Sequence, residues 1–485
     1  MPDMRLFPEP GRSYALPFTA GTNSIYAESY ASGGTKRIMN QQDLTKGPVF
    51  STMSLFALPM ILGNILQQGY NIVDTWVVGR FIGPDALAAV GCAFAVMTFL
   101  TSVLLGLCMG SGTVFSLCFG RGDRQGMEQS VCASFLLLAV TAAALTAASL
   151  LGVDALVWWM NVPGKIVELT RGYLLIVFCG IPAIAVYNFF GAYLKAVGNS
   201  TVPLIFLGVS TTVNILLDLL FVAAFRWGVL GAAAATVISQ YLSGLGIGLY
   251  VLGKQREVRR AFLHFRIQKS SLKQIAGYSA LTCMQQSVMN LGILMVQGLV
   301  NSFGTVVMAA FAAAVKIEAF TYMPAQEYAN AFSTFIAQNM GAGKKSRVVL
   351  GIRFAYVSVI SYCILASIFI WVFAKPLLLI FIEPSETEIL AQGIRYLHIV
   401  GPFYFGIGCL FLFYGLYRAV GKPQASVILT IISLGTRVAL SYLLSSIDAV
   451  GVVGIWWSIP IGWGLADFAG FLYYVRKKRS LLEWV

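Results

Sequence analysis

Residues 67–91 read QQGYNIVDTWVVGRFIGPDALAAVG. The segment lies in an apolar run that begins near Met53, and it carries one carboxylate, Asp74. An acid in a stretch of bilayer-crossing length is expensive to keep and marks a functional position by default. The run breaks at Ile82-Gly83-Pro84, and a second apolar stretch opens at once. Span, tight turn, span is a helical hairpin, so the fold to expect is an all-α polytopic membrane protein.

The rest of the chain extends that pattern. Its 485 residues are 58% hydrophobic and 11% charged, with mean hydropathy +0.78. A soluble domain carries about 25% charged residues. Twelve spans are expected, near 53–79, 86–118, 130–151, 167–190, 202–224, 229–252, 275–300, 307–339, 349–373, 389–416, 425–445 and 451–475. The first 50 residues are polar, lack the apolar core of a cleavable signal, and read as a cytoplasmic tail. Met39, opening MNQQDLTKGPVF, is an alternative start.

Charge sets the orientation. Most of the 33 Lys and Arg residues fall in the terminal segments and in the loops after spans 2, 4, 6, 8 and 10. The opposite loops hold only Arg80, Lys165, Arg226 and Lys375. By the positive-inside rule both termini are cytoplasmic, in a plasma membrane. The net charge of +13 is then a topology signal, and nucleic acid is not an expected partner. The eight cysteines lie almost wholly in apolar segments without a CxxC and read as small buried hydrophobes. With only two histidines, His264 and His398, and no GxSxG, neither an enzyme nor a resident cofactor is expected.

The two halves repeat. At an offset of 221, Gly83 meets Gly304, Ala88-Ala89 meets Ala309-Ala310, and Gly120-Arg-Gly122 meets Gly341-Ala-Gly343. At an offset of 223, Tyr173-Leu174 meets Tyr396-Leu397, Ala196-Val-Gly198 meets Ala419-Val-Gly421, and Gly228-Val-Leu-Gly231 meets Gly451-Val-Val-Gly454. An even number of spans per half makes the repeats parallel. The expected organisation is a tail (1–50), an N-lobe (51–252), a basic linker (253–274), a C-lobe (275–475) and a second tail (476–485). Transporters built this way bind between the lobes and rock around the site. The GRG and GAGK loops lack phosphate-loop spacing and read as turns.

Counting from the outer turns places three polar groups at one depth. Asp74, Asp218 and Thr236 each sit roughly 12–14 Å below the outer surface at 1.5 Å per residue. Tyr70 and Asn214 are helical i, i+4 companions of the two acids. The result is an oxygen-rich pocket able to hold exchangeable protons or a small hard cation such as Na⁺. The bland alternative is that each acid is satisfied structurally by a hydroxyl or a lysine. The counterparts in the second half are Met295 for Asp74, Arg437 for Asn214 and Ser441 for Asp218, so the acid pocket belongs to one half alone.

With LPM, QQGYNIVDTWVVGRFIGPDALAAVG, NILLD, GVLGAAAATVISQ and FIAQNMGAGKKSR in place, the chain resembles the multidrug and toxic compound extrusion (MATE) family of bacterial exporters from about Leu44 onward. The resemblance implies two six-helix lobes around a cavity open alternately to each side. It also implies export of cationic amphiphilic drugs in exchange for H⁺ or Na⁺. The family's N-lobe cation site maps onto Asp74, Asn214, Asp218 and Thr236, with Tyr70 one turn before, and its first-helix proline, where bending has been proposed, onto Pro59. The seventh-helix glutamate of the Na⁺-coupled branch is replaced by Gln285-Gln286-Ser287, and the proline near it by Ser279, which argues against a C-lobe cation site.

Further charges fall inside the spans. Lys316, Glu318 and Glu327 on span 8 are read first as interhelix partners and second as cavity residues, and Arg437 and Asp467 as a pair. Expected partners are organic cations and the bilayer, with the chain a monomer. A lipid-linked oligosaccharide or other lipid flippase of the same superfamily is the alternative, disfavoured because the lysines and arginines sit mostly in loops.

Overall fold

The computed structural model describes residues 42–160 and 162–482; most of the N-terminal segment, including Met39, lies outside them. Twelve helices of spanning length follow in order: α1 (Val49–Phe81), α2 (Pro84–Arg121), α3 (Arg124–Leu151), α4 (Val167–Phe178 and Ile181–Ala196, bent by 42°), α5 (Thr201–Ala224), α6 (Gly228–Lys254), α7 (Lys269–Asn301), α8 (Thr305–Gly341), α9 (Lys345–Leu378), α10 (Thr387–Ala419), α11 (Pro423–Ser445) and α12 (Val452–Leu482). Ten of them, and α4 taken as one broken span, are long and apolar enough to cross a membrane. The twelfth, α7, has the length but buries Ser279, Thr282, Gln285 and Gln286. Two boundaries differ from expectation. The linker contains a helix, Arg256–Leu263, and α7 begins inside it at Lys269. α12 continues through the anticipated tail to Leu482.

Local chemistry explains the turns. α2 ends where Gly122 takes a left-handed φ of 68°, and α3 begins where the Asp123 side chain accepts a hydrogen bond from Gly126 N–H at 2.8 Å. The repeat is visible in the backbone: Gly83 and Gly304, Gly122 and Gly343, Gly198 and Gly421, and Gly228 and Gly451 all adopt positive φ. The matched glycines are therefore the residues that let each hairpin close.

The two cores are exchanged at one end. α1 begins in the C-lobe core, where Met53, Phe56, Ala57 and Met60 pack with Phe332, Phe335 and Ile336, whereas Val77 and Val78 near its other end pack in the N-lobe core. α7 does the converse. Ile275 packs in the N-lobe core, and Val296 and Val300 in the C-lobe core. The lobes thus interlock on the side that carries the basic loops. Gly106 and Gly110 of α2 let the Cys283 and Ser279 backbone of α7 approach so closely that an added Cβ would stand 2.5–2.6 Å away. Ser134 donates to Ser111 (2.6 Å), and Ser111 and Ser279 are hydrogen-bonded (3.2 Å). Small residues and hydroxyls of this kind hold helices together where no hydrophobic force separates helix from lipid.

The lead-in before α1 is clamped by both lobes. Gln42 N–H donates to Gly198 O at 2.9 Å. Arg347 donates to the carbonyls of Leu44, Lys46 and Gly47 and to Asn339 Oδ1, and Lys344 Nζ donates to Thr45 O at 2.8 Å. Gln338 Nε2 crosses from α8 to Ala196 O at 2.7 Å. The basic side is closed.

Candidate cation-coupling site

The helices assemble the expected residues. Asn214 and Asp218 are the last polar residues of the α-helical part of α5; Leu219–Ala224 continues as a π-helical turn. Such turns often mark functional positions, because an extra residue frees backbone and re-aims the helix end. Asp218 and Asn214 are 1% and 2% exposed, and Thr236 on α6 is 8% exposed. With its amide oriented to satisfy both neighbours, Asn214 Nδ2 donates to Asp218 Oδ2 at 3.0 Å and its Oδ1 accepts from Thr236 N–H at 3.2 Å. The Asp74 and Asp218 carboxyls come within hydrogen-bonding reach of each other, and the Tyr70 hydroxyl lies beside Thr236.

Asp74 Oδ1, Asp218 Oδ1 and Thr236 Oγ1 are buried without a hydrogen-bond partner. Buried polar atoms are normally satisfied, and two carboxyls at this separation need a proton or a cation between them. The donor set, all oxygen, fits a proton or a small hard cation equally. Among the described residues no group of three or more His, Cys, Asp or Glu side chains forms a conventional metal site.

One member was missed. Tyr173 of α4, 7% exposed, stands beside Asp74, Tyr70 and Asp218. Its signal was present as half of the Tyr173/Tyr396 repeat match. Tyr396 occupies the equivalent place in the C-lobe, donates to Glu318 Oε2 at 2.7 Å, and packs edge-on against Phe311 and Trp456. Ser441, the counterpart of Asp218, is hydrogen-bonded to Ser458 (2.7 Å). The second lobe keeps the phenol, but a hydroxyl, Ser441, stands for Asp218 and Met295 for Asp74.

The remaining charges separate. Lys316 and Glu318 face different ways: Glu318 is 6% exposed, whereas Lys316 lies over the Phe381 ring and lines a cavity of about 410 Å³ with Glu383 and Glu386. Arg437 does not pair with Asp467. It lies toward Glu318 and Tyr322, because its Cβ packs by Gly462 of α12, whereas the Asp467 side chain turns to Gly406 of α10, where its Oδ1 is buried without a partner. Glu327 accepts from Asn330 Nδ2 at 3.3 Å and is close to Lys195 and Arg418. Pro59 lies inside an uninterrupted α1.

Two parallel six-helix lobes with an acid pocket in one of them define a membrane transporter. The MatE family model matches residues 59–220 and again residues 281–443, one match per repeat. The chain belongs to the MATE family of multidrug efflux transporters. It is 31% identical over 438 residues to the "Probable multidrug resistance protein YpnP" of Bacillus subtilis, covering 90% of this chain and 97% of that protein. It is 22% identical to the "FAD transporter" of Shewanella oneidensis, covering 90% and 97%. Among solved structures, the "outward-facing conformation of a multidrug resistance MATE family transporter of the MOP superfamily" superposes with a TM-score of 0.86 at 24% identity, over 92% of this chain and 99% of that one.

Proposed function

We propose that the chain is a secondary antiporter that exports cationic amphiphilic compounds in exchange for H⁺ or Na⁺, with its basic side in the cytoplasm. The observation that carries this reading is the Asp74–Asp218 pair with its three unpartnered buried oxygens. An empty, doubly ionised pair is unfavourable, so ion uptake changes the energy of the N-lobe. Coupling follows if the ion-loaded pocket favours one arrangement of the lobes and the empty pocket the other. Tyr70, Tyr173, Asn214 and Thr236 hold the pocket's geometry, Pro59 supplies a point at which α1 can bend, and the charge bias of the loops sets the orientation.

The test is dye efflux from proteoliposomes under an imposed Na⁺ gradient and, separately, a pH gradient, for wild type and Asp218→Asn. Transport driven by one gradient and lost in the variant supports the proposal and names the ion. Transport that survives Asp218→Asn removes the site.

A further inference from the structure

Lys195 and Arg418 occupy equivalent positions in the two repeats, at the offset of 223 that relates Ala196 to Ala419. Each ends its span near the cytoplasmic side. Arg418 reaches Glu327 of α8 through Asn330, and Lys195, next to Ala196 whose carbonyl accepts from Gln338 of α8, acts electrostatically on the same carboxylate. The carboxylate has no twin: its counterpart at the 221 offset is Gly106, which is pressed against Cys283. One acid therefore serves two symmetry-related cations.

The two cations are held differently. Arg418 is 5% exposed, and its guanidinium donates to Asn330 Oδ1 (3.1 Å) and Ser333 Oγ (3.4 Å). Asn330 in turn donates to Glu327 Oε1 at 3.3 Å. Arg418, Asn330 and Glu327 thus form a fixed chain within the C-lobe. Lys195 belongs to the N-lobe, is half-buried, and approaches Glu327 across the lobe boundary without forming an ion pair. A lysine is a point charge on a flexible stem, whereas an arginine fork is pinned by its partners. Asn64 of α1 and Tyr187 of α4 border the same carboxylate.

We propose that Glu327 binds the cationic group of the substrate and that Lys195 is a tethered competitor for it. With the cytoplasmic side closed, the lobes hold the Lys195 ammonium beside Glu327, and a substrate cation meets a site already compensated. When the N-lobe swings away, Lys195 leaves with it, and Glu327 stays on the C-lobe with one fixed counter-charge. The site then favours a cation on the cytoplasmic side and releases it when closure brings Lys195 back. This supplies the differential affinity that directional export requires. The inference rests on the reading of the chain as an exporter of organic cations.

The test is equilibrium binding of tetraphenylphosphonium to the purified full-length protein. Lys195→Met is expected to bind more tightly than wild type, on the order of ten-fold. Lys195→Arg, which keeps the charge, is expected to match wild type. Glu327→Gln is expected to bind more weakly, and Lys195→Met with Glu327→Gln to match Glu327→Gln alone. A Lys195→Met protein that melts normally and binds no tighter than wild type overturns the competitor role while leaving organic-cation export intact. Glu327→Gln binding at wild-type affinity overturns the site. Absence of binding to both wild type and Lys195→Met overturns this inference together with the proposed substrate class.

Discussion

Gly120 and Gly341 are matched by the repeat and touch each other's helices reciprocally. A Cβ on Gly120 would stand 2.0 Å from Gln338 O, and one on Gly341 would stand 2.4 Å from Leu117 O. Leu117 and Gln338 are themselves related by the 221 offset, so the contact is a pseudo-two-fold crossing of α2 and α8 at the closed side. A methyl carbon sits comfortably about 3.3–3.6 Å from a carbonyl oxygen. Gly120→Ala therefore demands that the helices separate by roughly 1.3 Å there. Overpacking of this kind costs about 1–3 kcal/mol. Both glycines lie where the lobes meet, so the cost falls on the closed arrangement and is relieved when that side opens. The expected result is a shift in the closed-to-open ratio of roughly 5- to 150-fold.

Spin labels on cysteines placed at the exposed residues Gln125 and Ser346, one per lobe, would report the distance distribution in a background freed of the eight native cysteines. Gly120→Ala should enlarge the long-distance population, and Gly341→Ala should act alike. A distribution identical to wild type in a variant of unchanged melting temperature would refute the reasoning, because the crossing could then absorb a methyl group without opening.

Tyr173→Phe should lower coupled efflux several-fold at normal expression, measured with the proteoliposome assay. Tyr396→Phe should act mainly on stability, lowering it by about 1–3 kcal/mol in thermal denaturation, since Glu318 loses its hydroxyl donor while remaining buried. Arg347→Gln removes donors to three lead-in carbonyls and should speed amide exchange over residues 44–56, read by mass spectrometry. Arg226 is the only non-glycine residue with positive φ among the described residues, at 57°. Arg226→Gly should stabilise by up to about 1 kcal/mol, visible as a small rise in melting temperature.

The spans were legible because hydropathy is a local property, and the common level of the pocket residues was legible because helical rise is constant. Counting alone brought Asp74, Asp218 and Thr236 together. Partners on other helices were not legible, since they depend on which face each helix turns inward. Arg437 shows this: distance along the chain gave no reason to prefer Glu318 over Asp467. Lys195 and Tyr173 were in view only as a topology charge and a repeat marker. Their places came from packing across α4, whose 42° bend sets one part of the broken span by the Asp74–Asp218 pair and its end near Glu327. The linker helix and the extension of α12 escaped notice because polar, basic sequence reads as loop when judged by hydropathy.

The exchanged ends of α1 and α7 constrain how the chain is made. Residues 49–60 are made before the other described spans, yet the surface that buries them belongs to α8 and α9, roughly 280 residues later. At about 5–20 residues per second of synthesis, that surface is absent for roughly 15–55 seconds. The first half of the polypeptide must therefore wait in the bilayer with its leading helix half-housed, and assembly is completed only when the second half arrives to receive it.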